Sequence, residues 1–342
     1  MKVAILSYYS THVERGVEVW ALSLKEALQD ECEVTIFHEK REIDRSIPES
    51  AGVIRKLFLD HWSRAIFGFT WQILSTLRKD NFDIIIPTNG GWQVALIRIY
   101  TFFFRKKMII VGHAGIGYDD AWNVLWCPDC FVALSTFAKQ WARRINPLIR
   151  IEMIPNGIWL EKFTKGGQKV SLELKKPIVL SVGSLQAGKR PALTIEAVAQ
   201  MQNTSLLMLG DGPLVTSLSE LGHELLGERF LLKKVPHVEI AKYFHAADVF
   251  TLSTWSREAF GIVYLEAMAC NLPIVTTDDP IKREIIGDAG IYVDPNNSGE
   301  YARALKKALS KDWGRTPRIQ AEKYRWERVS AQYSTLFQSL IK

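Results

Sequence analysis

Cysteine is scarce, with 4 residues in a chain of 342. Cys32, Cys127, Cys130 and Cys270 cannot build a disulfide framework and point to a reducing compartment. Long apolar runs are missing as well. The longest, Trp92 to Phe104, contains Arg98 and falls short of the roughly 20 residues that a membrane-spanning helix requires. Met1-Lys2 leads directly into Val3-Ala4-Ile5-Leu6-Ser7, too short for a signal peptide and suited to a first buried strand, so the expected location is the cytoplasm. The chain has no long basic tract, no zinc-finger spacing and no RNA-recognition signature, and this sets nucleic acid aside as a partner despite a formal net charge of +6 and a pI near 9.0. Internal repeats and low-complexity segments are absent too.

What is present is alternation. Short apolar runs recur between amphipathic stretches at Val3 to Ser7, Val34 to Phe37, Ile84 to Pro87, Met108 to Val111, Phe131 to Ser135 and Ile151 to Ile154. After Phe163 the polar, glycine-containing stretch Thr164-Lys165-Gly166-Gly167-Gln168-Lys169 reads as a linker. A second series runs through Ile178 to Val182, Leu206 to Leu209, Phe230 to Leu232, Val249 to Leu252, Ile274 to Thr276 and Ile291 to Val293. Strands alternating with helices predict parallel, doubly wound α/β sheets, and the length predicts two domains of about 160 residues. The expected division is 1–163, 164–317 and a terminal helix in 318–342, around Arg318 to Ile341. Two Rossmann-like domains would face each other across a cleft, with ligands at the carboxyl ends of the strands.

One segment carries the most chemistry, Glu258-Ala259-Phe260-Gly261-Ile262-Val263-Tyr264-Leu265-Glu266, continuing into Ala267-Met268-Ala269-Cys270-Asn271-Leu272-Pro273-Ile274-Val275. On one straight helix its two glutamates would stand about 80° apart around the axis and about 12 Å apart along it, a poor arrangement for joint work. Gly261 permits a special backbone, which leaves Glu258 in a loop and Glu266 about one turn inside a helix. The N–H groups of Gly261, Ile262 and Val263 would then face an anion, aided by the helix dipole, and a phosphate-bearing ligand fits such an end.

The pattern Glu, one residue, Phe-Gly, five residues, Glu-Ala-Met-Ala-Cys, then a turn residue and Leu-Pro-Ile-Val, resembles the signature of retaining glycosyltransferases with the GT-B fold, most closely family 4. Ile154-Pro155-Asn156-Gly157-Ile158, Gly210-Asp211-Gly212-Pro213, Ala246-Ala247-Asp248-Val249-Phe250 and Ala289-Gly290-Ile291-Tyr292-Val293-Asp294-Pro295 follow the same family order. The resemblance implies transfer of a sugar from a nucleotide-diphosphate sugar to a hydroxyl of a sugar, glycan or lipid-linked acceptor, in cell-surface glycan, polysaccharide or glycolipid synthesis. It implies no metal or other cofactor. Glu266 would bind the nucleotide ribose, Glu258 would lie near the transferred sugar without acting as a covalent nucleophile, and His113, after the strand Met108 to Val111, would approach the reacting sugar. The terminal helix of this fold often crosses back to the first domain.

The loop Gly183-Ser184-Leu185-Gln186-Ala187-Gly188-Lys189-Arg190 nearly spells a Walker A motif, but Arg190 stands where the magnesium-binding hydroxyl would be. In the glycosyltransferase reading this loop meets the donor diphosphate. Ser184 replaces the family's usual arginine, leaving Lys189, helped by Arg190, to neutralise the departing charge. In Glu14-Arg15-Gly16-Val17-Glu18, Arg15 replaces the first of the family's two glycines, so close approach of a phosphate falls to Gly16 alone, the alternative being a tolerated loop glycine. Asn156 is a looser candidate. The Cys127-Pro128-Asp129-Cys130 motif precedes a strand instead of opening a helix and is read as structural, redox sensing being the alternative. Asp119-Asp120 and Asp278-Asp279 are adjacent pairs without the spacing that presents a metal to a diphosphate.

The first domain carries Leu57, Phe58, Leu59, Trp62, Phe67, Phe69 and Trp71 among Arg55, Lys56 and Arg64, and a basic stretch with Arg98, Arg105, Lys106 and Lys107. This mixture suits an anionic membrane surface or a lipid carrier at the inner face of the membrane, the alternative being core helices with solvated basic ends. Two rival functions stand beside the transferase, a P-loop-like phosphotransferase and a catalytically inactive GT-B scaffold.

Overall fold

A computed structural model describes residues 1–13, 15–41, 57–164, 166–255 and 258–342. Glu14, Arg55, Lys56 and Lys165 of the sequence readings lie outside the described residues. The chain forms two compact units, Met1–Gly157 with Trp326–Lys342, and Ile158–Arg325.

The first unit is a six-stranded sheet in the order β2-β1-β3-β4-β5-β6, made of β1 (Lys2–Leu6), β2 (Glu33–Phe37), β3 (Ile84–Pro87), β4 (Lys107–Val111), β5 (Cys130–Ala133) and β6 (Ile151–Met153). Every pairing is parallel, with Ala4 opposite both Thr35 and Ile85, and Ile110 opposite Phe131. Parallel strands need covering on both faces, and β3 and β5 are accordingly buried along their whole length. One core layer gathers Ile85, Ile110 and Phe131 of the strands with Ile97 of the helix Gly91–Phe103. Each such side chain stabilises the unit by about 2 kcal/mol relative to exposure. The terminal helix Trp326–Ile341 lies against the helix Gly16–Ala27, the rings of Trp20 and Tyr333 6.2 Å apart.

The second unit repeats the architecture in the order β12-β11-β10-β7-β8-β9, with β7 (Ile178–Val182), β8 (Ser205–Leu209), β9 (Phe230–Lys233), β10 (Val249–Leu252), β11 (Ile274–Thr277) and β12 (Gly290–Val293). The two Rossmann-like domains expected from the alternating apolar runs are both present, with a strand at each run.

The terminal helix departs from its expected start at Arg318. A separate helix, Thr316–Glu322, ends first, and the final helix begins only at Trp326. Arg318 donates to the carbonyls of Phe163, Ala269 and Leu160, and Tyr324 donates to the Glu284 carbonyl at 3.2 Å, so this stretch is tied into the second unit before the chain leaves it. Among the described residues no helix is long and apolar enough to cross a membrane.

Strand order decides where a ligand can enter. In the second sheet the order reverses between β7 and β10, and in the first between β1 and β3. The loops leaving those strands at their carboxyl ends diverge, which is where open α/β sheets hold their ligands.

Candidate active site

At the switch point of the second unit the loop after β7 runs through Gly183 and Ser184 into a single 3-10 turn, Ala187–Lys189. It is braced by the next crossover: Leu185 N–H donates to the Asp211 carbonyl at 2.9 Å. A side chain at Gly210 would meet the Gly183 carbonyl oxygen at 2.0 Å, so only glycine allows the two loops this close. Ser184 and Lys189 are both half-buried in the bend. Arg190 adopts a left-handed backbone, φ 47°, just before Pro191 opens the helix Pro191–Ala199.

Lys189 and Arg190 part ways. The ammonium of Lys189 forms an ion pair with Oε2 of Glu258. Thr254 Oγ1 also donates to that oxygen at 3.2 Å, and Trp255 N–H donates to the Gly188 carbonyl at 3.2 Å, zipping the loop after β10 onto the loop after β7. The Arg190 guanidinium turns inward, donating to the carbonyls of Ser253 and Thr254 at 2.9 and 3.0 Å and reaching Asn296 Oδ1 at 3.3 Å. Burial pushes its pKa below the ordinary value, with Asp294 opposing. Arg190 thus bolts the ends of β7 and β10 together, and of the pair it is Lys189 whose charge stands beside the glutamate.

The helix Ile262–Ala269 starts directly after Gly261, as the sequence predicts. Gly261 is its N-cap with φ 79°, and among the described residues no side chain caps it. The N-terminal N–H groups of Ile262 and Val263 therefore end the helix on backbone alone, a positive pole for an anion. The Phe260 ring is buried, packed edge-on against Tyr324 at 6.0 Å, so this residue anchors the loop and has only its backbone to offer a ligand. Glu266, also buried, lies with Oε1 2.7 Å from Nε2 of His237.

In the first unit His113 follows β4. Its ring lies 4.6 Å from that of Trp20, Nε2 is buried without a hydrogen-bond partner among the described residues, and burial holds its pKa down to about 3. The imidazole is neutral at physiological pH. Gly16 is exposed in the first turn of its helix, while the Arg15 guanidinium meets Glu18 at 3.1 Å and covers the Tyr9 ring at 4.5 Å. Arg15 and Tyr9 line a cavity of about 140 Å³ with Trp62, Ile66, Asn89 and Trp92, at the β1/β3 switch point. Asn156 is buried. Cys130 sits in β5 with its thiol pushed up to about 12 by burial, and both it and the exposed Cys127 are unbridged.

Residues 15–162 match the family described as Glycosyltransferase Family 4, and residues 164–325 match Glycosyl transferases group 1. The chain belongs to the group 1 glycosyltransferases of family 4. A D-inositol 3-phosphate glycosyltransferase of Gordonia bronchialis is 29% identical over 224 residues, covering 56% of this chain and 48% of that one. The chain spans about half the length of the curated relatives it matches. Sucrose-phosphate synthase of Thermosynechococcus elongatus superposes with a TM-score of 0.79 at 20% identity, covering 99% of this chain and 98% of that one. HepE of Anabaena, solved in complex with UDP-glucose, gives 0.76 at 17% identity, covering 99% and 100%. At these identities the likeness is one of fold, and the fold is GT-B.

Three side chains escape the sequence reading, which takes Asp278-Asp279 and Asp119-Asp120 only as adjacent acidic pairs. Asp279 caps the helix Pro280–Ile286 through Lys282 N–H at 3.0 Å, and its carboxylate pairs with the fully buried Lys282 ammonium. Lys282 also donates to the Trp255 carbonyl at 3.2 Å, so this buried ion pair supports the segment that carries Glu258. Burial pushes Lys282 below its ordinary pKa, with Asp279 opposing. The readable signal was an aspartate before proline at a helix start, the usual form of an N-cap. Asp120, the second, is buried and accepts from Asn123 Nδ2 at 3.1 Å. For His237, the third, no local signal existed; it is 29 residues from Glu266.

Proposed function

We propose that the protein is a retaining glycosyltransferase that moves a sugar from a nucleotide-diphosphate donor to an acceptor hydroxyl without a metal, in the synthesis of a glycan or glycolipid. The observation that carries the reading is the ion pair of Lys189 with Glu258, set at the β7/β10 switch point beside the uncapped helix end at Gly261. The donor class is supported by HepE, a structural neighbour solved with UDP-glucose.

In this reading the diphosphate takes the Lys189 ammonium and the N–H groups of Ile262 and Val263, so positive charge stands where negative charge develops. Ser184, in the bend after β7, offers close backbone approach. Glu266 accepts hydrogen bonds from ribose hydroxyls, its orientation held by His237. Glu258, released from Lys189 by the donor, faces the sugar and stabilises positive charge at the anomeric carbon. The bond from the anomeric carbon to the diphosphate oxygen breaks with its electron pair going to that oxygen. The acceptor oxygen then bonds the same face of the carbon, and the acceptor proton passes to the departing phosphate. The cavity at Arg15, Trp62 and Trp92 offers aromatic faces for an acceptor sugar.

The test is turnover of sugar nucleotides in the presence of a chelator, with product configuration read by NMR. Lys189→Met should lower kcat about a hundredfold or more at unchanged melting temperature, with the wild-type product keeping the donor's anomeric configuration. An inverted product, or full activity in Lys189→Met, contradicts the reading.

A further inference from the structure

Two neighbouring helices of the first unit, His61–Lys79 and Gly91–Phe103, pack side by side, and their outward sides carry large aromatic and aliphatic side chains among the polar ones. Phe67 and Trp71, one turn apart, stack at 6.2 Å with 38% and 62% of their surfaces exposed. On the second helix Ile99 is exposed, and Phe102 and Phe103 are 73% and 74% exposed. Phe104 follows, with the Arg78 guanidinium 5.0 Å over its ring, so the carboxyl ends of the two helices meet at the surface. A patch of large apolar side chains on this scale marks a docking surface.

Charge selects the partner. Neither helix contains an Asp or Glu; they carry Arg64, Arg78, Lys79 and Arg98, and Arg105 and Lys106 follow at once. Arg98 is engaged by Asp129 at 2.9 Å, while Arg64, Arg78 and Arg105 are exposed, Arg78 over the Phe104 ring. A second copy meeting this face symmetrically would bring arginine against arginine, a like-charge contact that costs affinity. An anionic bilayer complements both features, taking the aromatic rings at the acyl boundary and the guanidinium groups at the headgroup phosphates.

We propose that this face docks the protein on an anionic lipid surface. Trp92, the second residue of the helix Gly91–Phe103, also lines the cavity at the β1/β3 switch point, so the docking surface adjoins that cavity.

The test is co-sedimentation of the full chain with vesicles of phosphatidylcholine alone or with about one-third phosphatidylglycerol, at low and high salt. The anionic vesicles should bind it and the neutral ones should not, with binding weakened by salt. The combined variant Trp71→Ser, Phe102→Ser, Phe103→Ser should partition at least about tenfold more weakly with an unchanged melting temperature. If that variant does not fold, Arg64→Gln with Arg78→Gln serves instead, each change weakening binding to anionic vesicles about fivefold. Absence of vesicle binding, equal binding to both vesicle types, or binding unaltered by the substitutions overturns the proposal. So does a wild-type dimer that the serine variant converts to monomer while vesicles capture neither.

Discussion

Asp120 shows what a single buried carboxyl does to the molecule. Burial raises its pKa from 3.8 to about 7, against the hydrogen bond it accepts from Asn123. Between those two values the folded chain keeps a proton that the unfolded chain has released, so raising the pH favours unfolding. His113 acts in the opposite sense: with its pKa lowered from 6.5 to about 3, the unfolded chain binds the extra proton and stability is lost on acidification. Denaturant unfolding across pH 4 to 7 should therefore show Asp120→Asn gaining stability relative to wild type as the pH rises, about 1.4 kcal/mol per pH unit at most. A difference that stays flat with pH would show that Asp120 is charged in the folded protein. At this scale the sequence was readable where chemistry is local. Lys189, Glu258 and Gly261 stand out because each sits at a strand end or helix start, and Glu266 because it lies one turn inside that helix. Their partners were not readable, because Lys189 finds Glu258 across 69 residues and Lys282 becomes buried only when its helix folds back over Trp255. Arg190 looked like a second diphosphate cation, but carbonyls of the neighbouring strand end surround it.

Among the elements, strands were the most legible, since parallel strands buried on both faces read as unbroken apolar runs, as in Ile178–Val182 and Ile84–Pro87. Helix ends were less so. Nothing periodic separates Thr316–Glu322 from Trp326–Ile341, and the break follows from the carbonyls that Arg318 finds in the second unit. The helix Ile262–Ala269 is the element on which the functional reading depends, and its entrance requires glycine. At Gly261 φ is 79° and a Cβ would meet the Tyr264 ring at 2.6 Å. Gly261→Ala combines a left-handed alanine with that clash, so a loss of about 2 kcal/mol or more is expected. Thermal unfolding checks it, and an unchanged melting temperature would mean that the helix start adopts a different backbone.

For the whole molecule, strand order matters more than any single motif. Each sheet reverses direction once, and the residues of interest gather at those reversals: Lys189, Glu258 and Gly261 at β7/β10, and Arg15, Asn89 and Trp92 at β1/β3. The fold class followed from the alternation of elements, and the family from the motifs between them. The position of the cavity did not, because it depends on which strand lies beside β1. The proposed nucleotide-sugar site of the second unit, working without a metal, can be tested by itself. The most direct test is calorimetric titration of the purified protein with UDP-, GDP- and ADP-glucose in the presence of a chelator, with ATP and magnesium as the control. Binding of one sugar nucleotide, abolished by Glu266→Ala, is the predicted result. Silence across the sugar nucleotides, with ATP and magnesium binding or with nothing binding, would contradict it.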